Sequence, residues 1–497
     1  MTAINVPAYA SNTPHNYNEK TYASASTKVW KSSDIPSVAP IIMNWTGSGK
    51  DELHYAVVGI RKMLSVERNP PVLDVIEAKI LPQLVQLLQY PDAGIVFDAS
   101  WALTNVASTE YTRSVVECGA IPFLVNLMMH ENKDVREQCA WCLGNIAGDA
   151  TDMRDMILSN GGMQPMLTNI QNPATNSLLS NVVWALSNLC RGKPQPPLEH
   201  LKPAIPVLGH LVNTKNEVAM MDACWALSYL SDGDDNRIQA VLESGVTPVL
   251  VELLGHRNAS VITPALRTLG NFVSGNVTQT QTVIDADVFS KCLDLLSHAK
   301  KNIRKETCWL LSNIAAGSRD QVYKIMSKPK IMHQVIEHVR SAEWEVRKEA
   351  TWVVANVATG GGTDHIHCLV TLGAIDALSV ALDYSDTKMI LVILDSFESI
   401  LRVGKDSHRD YVGILDESDG IEKIENLQLH ENERVYERAV EIIEEFFGVS
   451  DEVEDENIVP KTDGGMFTFG VSSEKFTEGL MGECAASGFD FSSGFDM

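Results

Sequence analysis

The sequence predicts an all-α fold, a solenoid of about ten helical repeats winding as a right-handed superhelix, with unstructured ends. Three observations carry this. One nine-residue phrase recurs seven times at a nearly fixed step. An apolar segment at helical spacing, punctuated by Gly and Pro, precedes most copies. The hydrophobic content of 45% over 497 residues is enough for a long continuous core.

The phrase reads SWALTNVAS (100–108), AWCLGNIAG (140–148), VWALSNLCR (183–191), CWALSYLSD (224–232), LRTLGNFVS (266–274), CWLLSNIAA (308–316) and TWVVANVAT (351–359). Its Trp or Arg falls at 101, 141, 184, 225, 267, 309 and 352, in steps of 40, 43, 41, 42, 42 and 43 residues. A period in this range with helical patterning marks an armadillo or HEAT solenoid.

The earlier part of each period reads CGAIPFLVNLM (118–128), NGGMQPMLTNI (160–170), SGVTPVLVELL (244–254) or LGAIDALSVAL (372–382). Gly closes one helix in the left-handed conformation, and Pro opens the next. Ile121, Leu124, Val125, Leu127 and Met128 give that next helix an apolar face. Two long helices and a short leading one fit the armadillo unit better than the two-helix HEAT unit. ELHYAVVGIRKMLS (52–65) reads as the last helix of an atypical first repeat, and DSFESILRVG (395–404) fills the eighth phrase position without Trp. Residues 421–447 read as two capping helices. The expected domain is 44–448, with disordered segments at 1–43 and at 449–497, the latter acidic and Gly/Ser/Phe-rich.

Charge narrows the function. There are 64 acids against 40 Lys and Arg, a net charge of −24. Residues 1–50 carry +2 and residues 451–497 carry −9, which leaves −17 on the repeats. This argues against a nucleic-acid partner, which needs a basic surface, and leaves room for a basic protein partner. No apolar run is long enough to cross a membrane, and the N-terminus lacks a signal-peptide pattern. Nine scattered cysteines suggest reduced thiols of cytosol or nucleus. Cys139 and Cys142 form a lone CxxC inside a helical pattern, better read as helix packing than as a metal site. GSGK (47–50) is too short for a phosphate loop, and His365, His367 and Cys368 read as solvated loop residues. FTFG (467–470) is a single copy and carries almost no weight. No cofactor and no enzymatic activity are expected.

Trp and Asn stand four apart in the phrase, on one helical face. A buried Asn without partners costs about 1–3 kcal/mol. Its recurrence at 105, 145, 188, 271, 313 and 356 therefore points to an exposed ladder. Each amide offers a donor and an acceptor to a peptide backbone. Trp rings form slots for aliphatic stems and attract cations. Acids flank them: Glu137, Asp149, Asp222, Glu306 and Glu349. The expected ligand is a short, extended, Lys/Arg-rich peptide, its stems in the slots and its charges at carboxylates. Tyr229 replaces Asn and Arg267 replaces Trp in the middle, and a fixed cation there would repel such a ligand. The ladder splits into one site over Trp101–Asn188, extended to Asp222 and Trp225, and another over Asn271–Asn356. Three helix layers span about 16–20 Å, the reach of about five to six extended residues. A two-cluster ligand could fill both sites and gain avidity.

These phrases closely resemble importin-α (karyopherin-α), the nuclear-import adaptors. The resemblance covers about 45–460 and rests on EQCAWCLGNIAGD, NVVWALSNLCRGKPQP, DACWALSYLSDG, PALRTLGNFVSG, KETCWLLSNIAAG and KEATWVVANVATGG. It implies binding of nuclear localisation signals on cargo proteins and shuttling between cytoplasm and nucleus, with the nuclear envelope as a further location. It implies a major site of Trp101, Asn105, Thr112, Gln138, Trp141, Asn145, Asp149, Trp184 and Asn188, with Asp149 meeting the key Lys. It implies a minor site of Glu306, Trp309, Asn313, Glu349, Trp352 and Asn356, with Thr280 nearby. It also implies that an export receptor engages the last repeats.

The chain departs from the family in places. ASTEYT (107–112) shortens a loop that normally brings a Gly to the key-Lys pocket. Val277 replaces a frequent acid, and NEVAMMDACW (216–225) carries an extra residue that shifts Glu217. Family members begin with a basic segment that binds importin-β and folds back over the groove. Residues 1–50 hold four Lys and no Arg. Two expectations stay open: cargo binding without autoinhibition or direct importin-β coupling, or a segment supplied differently or lying upstream. The alternatives to an import adaptor are a variant that sequesters or retains cargo, and a catenin-type adhesion or signalling scaffold. The scaffold type favours acidic ligands through Lys/Arg rows, which this ladder lacks.

Overall fold

The computed structural model describes residues 28–447 and two short strands, Lys461–Asp463 and Met466–Thr468. The chain divides into two units, Met1–Ala439 and Val440–Met497.

The first unit is built from one repeated three-helix motif. A short helix such as Thr151–Ser159 leads, a second such as Met163–Gln171 follows, and a long phrase-bearing helix such as Asn176–Cys190 completes the repeat. The long helices of the repeats are Lys50–Leu64, Ala93–Ala107, Lys133–Asp149, Asn176–Cys190, Glu217–Leu230, Ala259–Phe272, Lys301–Ala315, Trp344–Gly360 and Thr387–Asp406, and the phrase lies on the seven from Ala93–Ala107 to Trp344–Gly360. From Lys50–Leu64 to Thr387–Asp406, each packs against the next. The fold is an armadillo solenoid.

Local signals explain the boundaries. Asp92, Asn132, Thr175, Asn216, Asn258 and Asp386 cap the N-termini of long helices by accepting from main-chain N–H groups one turn on. Gly119, Gly161, Gly245 and Gly373 adopt positive φ of 73–87° between the leading and second helices, a turn that glycine makes without steric cost. The core is aliphatic and continuous from layer to layer, with Leu103, Leu143, Leu186, Leu227, Leu269, Leu311 and Val354 fully buried at equivalent phrase positions.

Two boundaries differ from the sequence reading. The segment 1–43, expected to be disordered, contains a 3-10 turn at Ser32–Asp34 and a helix at Ile35–Met43. Ile35, Val38 and Ile42 are buried at helical spacing, and Trp30 lies 7% exposed, its ring 5.0 Å from Tyr55. The Trp30 ring rests on Gly59, where a Cβ would fall 2.6 Å from it. This apolar cluster covers the first repeat, so the ordered chain begins earlier than 44. Residues 1–27 lie outside the described residues, as does most of 449–497. Within that tail Lys461–Asp463 pairs antiparallel with Met466–Thr468, a hairpin in a stretch read as unstructured.

His365 and His367 also differ: they lie on the helix Thr363–Thr371, not in a loop. His365 Nδ1 accepts from Gly362 N–H at 3.1 Å, and His367 Nδ1 lies 2.6 Å from the Tyr411 hydroxyl. Cys139 and Cys142 are buried free thiols facing the core, and burial pushes Cys142 up to about 12.

Candidate peptide-binding groove

The Trp and Asn residues form a continuous column because successive long helices stack in register. Trp101, Trp141, Trp184, Trp225, Trp309 and Trp352 are half-buried, not freely exposed. Two of them sit on a glycine of the preceding repeat. A Cβ at Gly144 would fall 2.2 Å from Cζ3 of Trp184, and one at Gly270 would fall 2.2 Å from Cζ3 of Trp309.

The asparagines correct the expectation of a free ladder. Asn188 and Asn271 are buried, and most of the amides are tied to the layer before. Asn145 Nδ2 donates to the carbonyl of Thr104 (3.3 Å) and Asn188 Nδ2 to that of Gly144 (3.0 Å). Asn271 donates to Ser228 (2.9 Å), Asn313 to Gly270 (3.5 Å) and Asn356 to Ser312 (2.9 Å). Each acceptor immediately precedes the Asn, or the Tyr229, of the preceding repeat. A helical carbonyl keeps a second lone pair after its own i+4 bond, and the residue there is small, so the amide can approach. Asn105, at the start, donates instead to Ser65 Oγ at 2.9 Å. Asn271 also donates to Ser231 Oγ at 3.1 Å, so both its amide protons are engaged. In the others one amide proton is structural, and the oxygen and second proton make no further bond among the described residues.

Three residues before each Trp runs a row of polar groups. Gln138 is buried and donates to Thr104 Oγ1 at 2.7 Å. Asn181 donates to Glu137 at 3.1 Å, and Ser177 bonds the same carboxylate. Asp98 pairs with Arg61 (2.6 Å) and His54 (2.8 Å). Glu306, only 4% exposed, receives two bonds of 2.6 Å from Arg267 and lies 3.2 Å from Lys305. Arg267 is therefore not the bare repelling cation expected, nor is Glu306 an unclaimed acid. Asp222 differs: it is 5% exposed and has no hydrogen bond or ion pair among the described residues, and burial raises its carboxyl to about 7. Burial, with Glu306 nearby, also raises Glu349.

Arg61 and Arg267 occupy equivalent positions, each where the phrase has Trp. Each pairs with an acid of the next repeat and stacks over that repeat's Trp. Arg61 lies 4.4 Å from the Trp101 ring and Arg267 lies 5.6 Å from the Trp309 ring. They open two arrays: Trp101, Trp141, Trp184 and Trp225 in the first, Trp309 and Trp352 in the second. In the middle, Tyr229 stacks on Trp225 at 5.8 Å. Arg61, Asp98, Gly144 and Gly270 were absent from the sequence-based site. Arg61 could have been found by counting 40 residues back from Trp101.

The remaining site residues divide by exposure. Asp149 is exposed at the C-terminal end of its helix, with no ion pair among the described residues. An acid is unfavourable at that end of the dipole. Thr112 is buried, its hydroxyl donating to Ala107 and Thr109 carbonyls, so it shapes the loop. Thr280 is likewise buried and donates to Val273 at 3.3 Å. The phrase-bearing helices from Ala93–Ala107 to Trp344–Gly360 have no basic residue in the last turn. Their partial negative charges are uncompensated beside the ladder, which favours a cationic ligand.

Fold and groove together define an armadillo-repeat protein. The model of the armadillo/β-catenin-like repeat matches residues 68–108, 108–148, 234–274 and 276–316, and the atypical Arm repeat matches 409–461. The crystal structure of an engineered protein superposes with a TM-score of 0.75 over 83% of this chain and 99% of that one, at 22% identity, a likeness of fold alone. Among curated proteins, importin subunit alpha-1b of Oryza sativa subsp. japonica is 43% identical over 402 residues, 79% of this chain and 75% of that one. Importin subunit alpha-3 of Arabidopsis thaliana is 43% identical over 431 residues, 84% of this chain and 81% of that one. The chain belongs to the importin subunit alpha family, adaptors of nuclear import.

Proposed function

We propose that this chain binds Lys/Arg-rich nuclear localisation signals of cargo proteins as an import adaptor. The first array is the main site, with Trp101, Asn105, Gln138, Trp141, Asn145, Trp184, Asn188 and Trp225 framing the peptide and Thr112 supporting it. Asp149 and Asp222 supply the counter-charges. Asn271, Thr280, Glu306, Trp309, Asn313, Glu349, Trp352 and Asn356 make the second site. The observation that carries the reading is the open cation chemistry of the first array. Trp141, Trp184 and Trp225 bear no stacked cation, and Asp149 and Asp222 no ion pair, among the described residues. A ligand Lys supplies both, its stem against indole and its ammonium at carboxylate.

Calorimetric titration of the full chain with a Lys-rich signal peptide, at low and high salt, tests this. Saturable binding that weakens with salt is expected, as is loss of most first-site affinity in Asp149→Lys. Absence of saturable binding, or equal affinity for a scrambled acidic peptide, would refute it.

A second reading is a variant that sequesters or retains cargo. It is favoured by the composition of residues 1–50, four Lys and no Arg, where the family resemblance implies a basic importin-β-binding segment. A pull-down with importin-β tests it: stoichiometric capture through residues 1–50 would refute the retention reading. Release through an export receptor at the last repeats belongs to the delivery reading.

A further inference from the structure

The two arrays differ in what already sits on their rings. Trp309 carries Arg267, and Trp352 carries Lys388, whose Nζ lies 5.5 Å from the ring centroid. These two cations are not equally held. Arg267 is fixed by two 2.6 Å bonds to buried Glu306. The Lys388 ammonium is exposed and has no hydrogen bond or ion pair among the described residues. Its ammonium makes with Trp352 the contact that a ligand Lys would make.

Nor is Lys388 placed where its own helix wants a cation. It lies in the first turn of Thr387–Asp406, capped by Asp386, which accepts from Met389 N–H at 2.9 Å. The N-terminal end of a helix disfavours positive charge. The nearby acid is partly engaged too, since Lys348 Nζ lies 3.4 Å from Asp386. A cation that helps neither helix nor ion pair, but covers an indole of the binding column, acts on whatever else would use that indole.

We propose that Lys388 is a specificity-determining residue: a tethered cation that competes with ligand for Trp352 and so biases basic peptides toward the first array. This rests on the proposed function and states which of its two sites is filled first. Three properties make Lys388 the displaceable element. It is exposed, it is held by one weak contact, and its long stem can swing to solvent. A second basic cluster tethered to one already bound has the high local concentration needed to displace it. A lone cluster does not. The tethered cation therefore makes the second array selective for two-cluster ligands.

The test isolates the second array by Trp141→Ala with Trp184→Ala, or by Asp149→Lys at an exposed position. A single-cluster Lys/Arg-rich peptide is titrated by calorimetry at low salt. Lys388→Gln should raise affinity several-fold, and Lys388→Arg should restore the original value. Lys330→Gln, which changes the same charge at an exposed site, should have little effect. With the second array disabled by Trp309→Ala and Trp352→Ala, Lys388→Gln should leave affinity unchanged. Equal or weaker binding by Lys388→Gln, or an equal gain from Lys330→Gln, overturns the proposal. A wild-type chain that binds the peptide at neither array overturns the proposed function and this inference together. Wild-type binding without the Lys388→Gln gain overturns this inference alone.

Discussion

Asn188 donates its side-chain amide to the main-chain carbonyl of Gly144 at 3.0 Å, across 44 positions of sequence. The bond locks one repeat onto the next and fixes the orientation of the amide. Asn188→Ala removes it and should lower stability by about 1–2 kcal/mol. Asn188→Asp should be worse than Ala, because a carboxylate has no N–H and would face the carbonyl oxygen. Urea unfolding followed by circular dichroism should rank wild type above Asn188→Ala above Asn188→Asp. A reversed order of the two variants would show that the amide donor is not what the site requires.

Gly144 and Gly270 carry a second constraint. In an ordinary helix Gly→Ala is stabilising by about 1 kcal/mol. Here the added methyl would lie 2.2 Å from the Trp184 or Trp309 ring. Gly144→Ala is expected to push Trp184 off its seat, shift its fluorescence and weaken basic peptides at the first array. Gly270→Ala should act on Trp309 and leave the first array intact. Fluorescence spectra with peptide titrations of the two variants check this, and a stabilised Gly144→Ala with unchanged emission would contradict it.

The fold was legible because its signal is redundant. The phrase step of 40–43 residues, the Gly–Pro punctuation and the aliphatic stripe each point to the same repeat. The helix at Ile35–Met43 was not legible: it is nine residues long, contains Pro36 and Pro40, and follows a Ser-rich stretch. Within the groove, Trp and Asn could be read from one phrase. Their use of neighbouring layers could not, since Asn145 and Thr104 are 41 residues apart and meet only once the helices stack. The Arg267–Glu306 pair, 39 residues apart, was hidden for the same reason. The residue pattern announced a cation and an acid in one groove without saying that they are each other's partners.

That pair sets a third expectation. Glu306 is buried, and Arg267 supplies two of its hydrogen bonds. Removing one member of a buried pair strands the other, at about 3–5 kcal/mol when no other charge compensates. Lys305 at 3.2 Å and the partial exposure of Arg267 reduce this. Arg267→Ala should therefore cost about 1–3 kcal/mol, and Glu306→Gln in the same chain should recover part of the loss. A double-mutant cycle by urea denaturation measures the coupling. Additive effects would show that the two side chains do not depend on each other.

Asp222 gives the pH dependence. Asp98 and Glu306, its equivalents in other repeats, are each met by an Arg from the preceding layer. The preceding layer offers Trp184 to Asp222, so its buried carboxyl stays protonated up to about 7 against an ordinary 3.8. Between those values the folded chain holds a proton that the unfolded chain has released. Stability therefore falls as pH rises across that window and levels off above about 7. Asp222→Asn should remove this slope and be more stable than wild type at pH 8. A ligand cation beside Asp222 favours the carboxylate, so peptide binding should expel a proton and strengthen as pH rises through 7. Calorimetry in buffers of different ionisation enthalpy counts that proton. Wild type should release most of one proton at pH 6.5 and Asp222→Asn none; equal proton release by both would place the titrating group elsewhere.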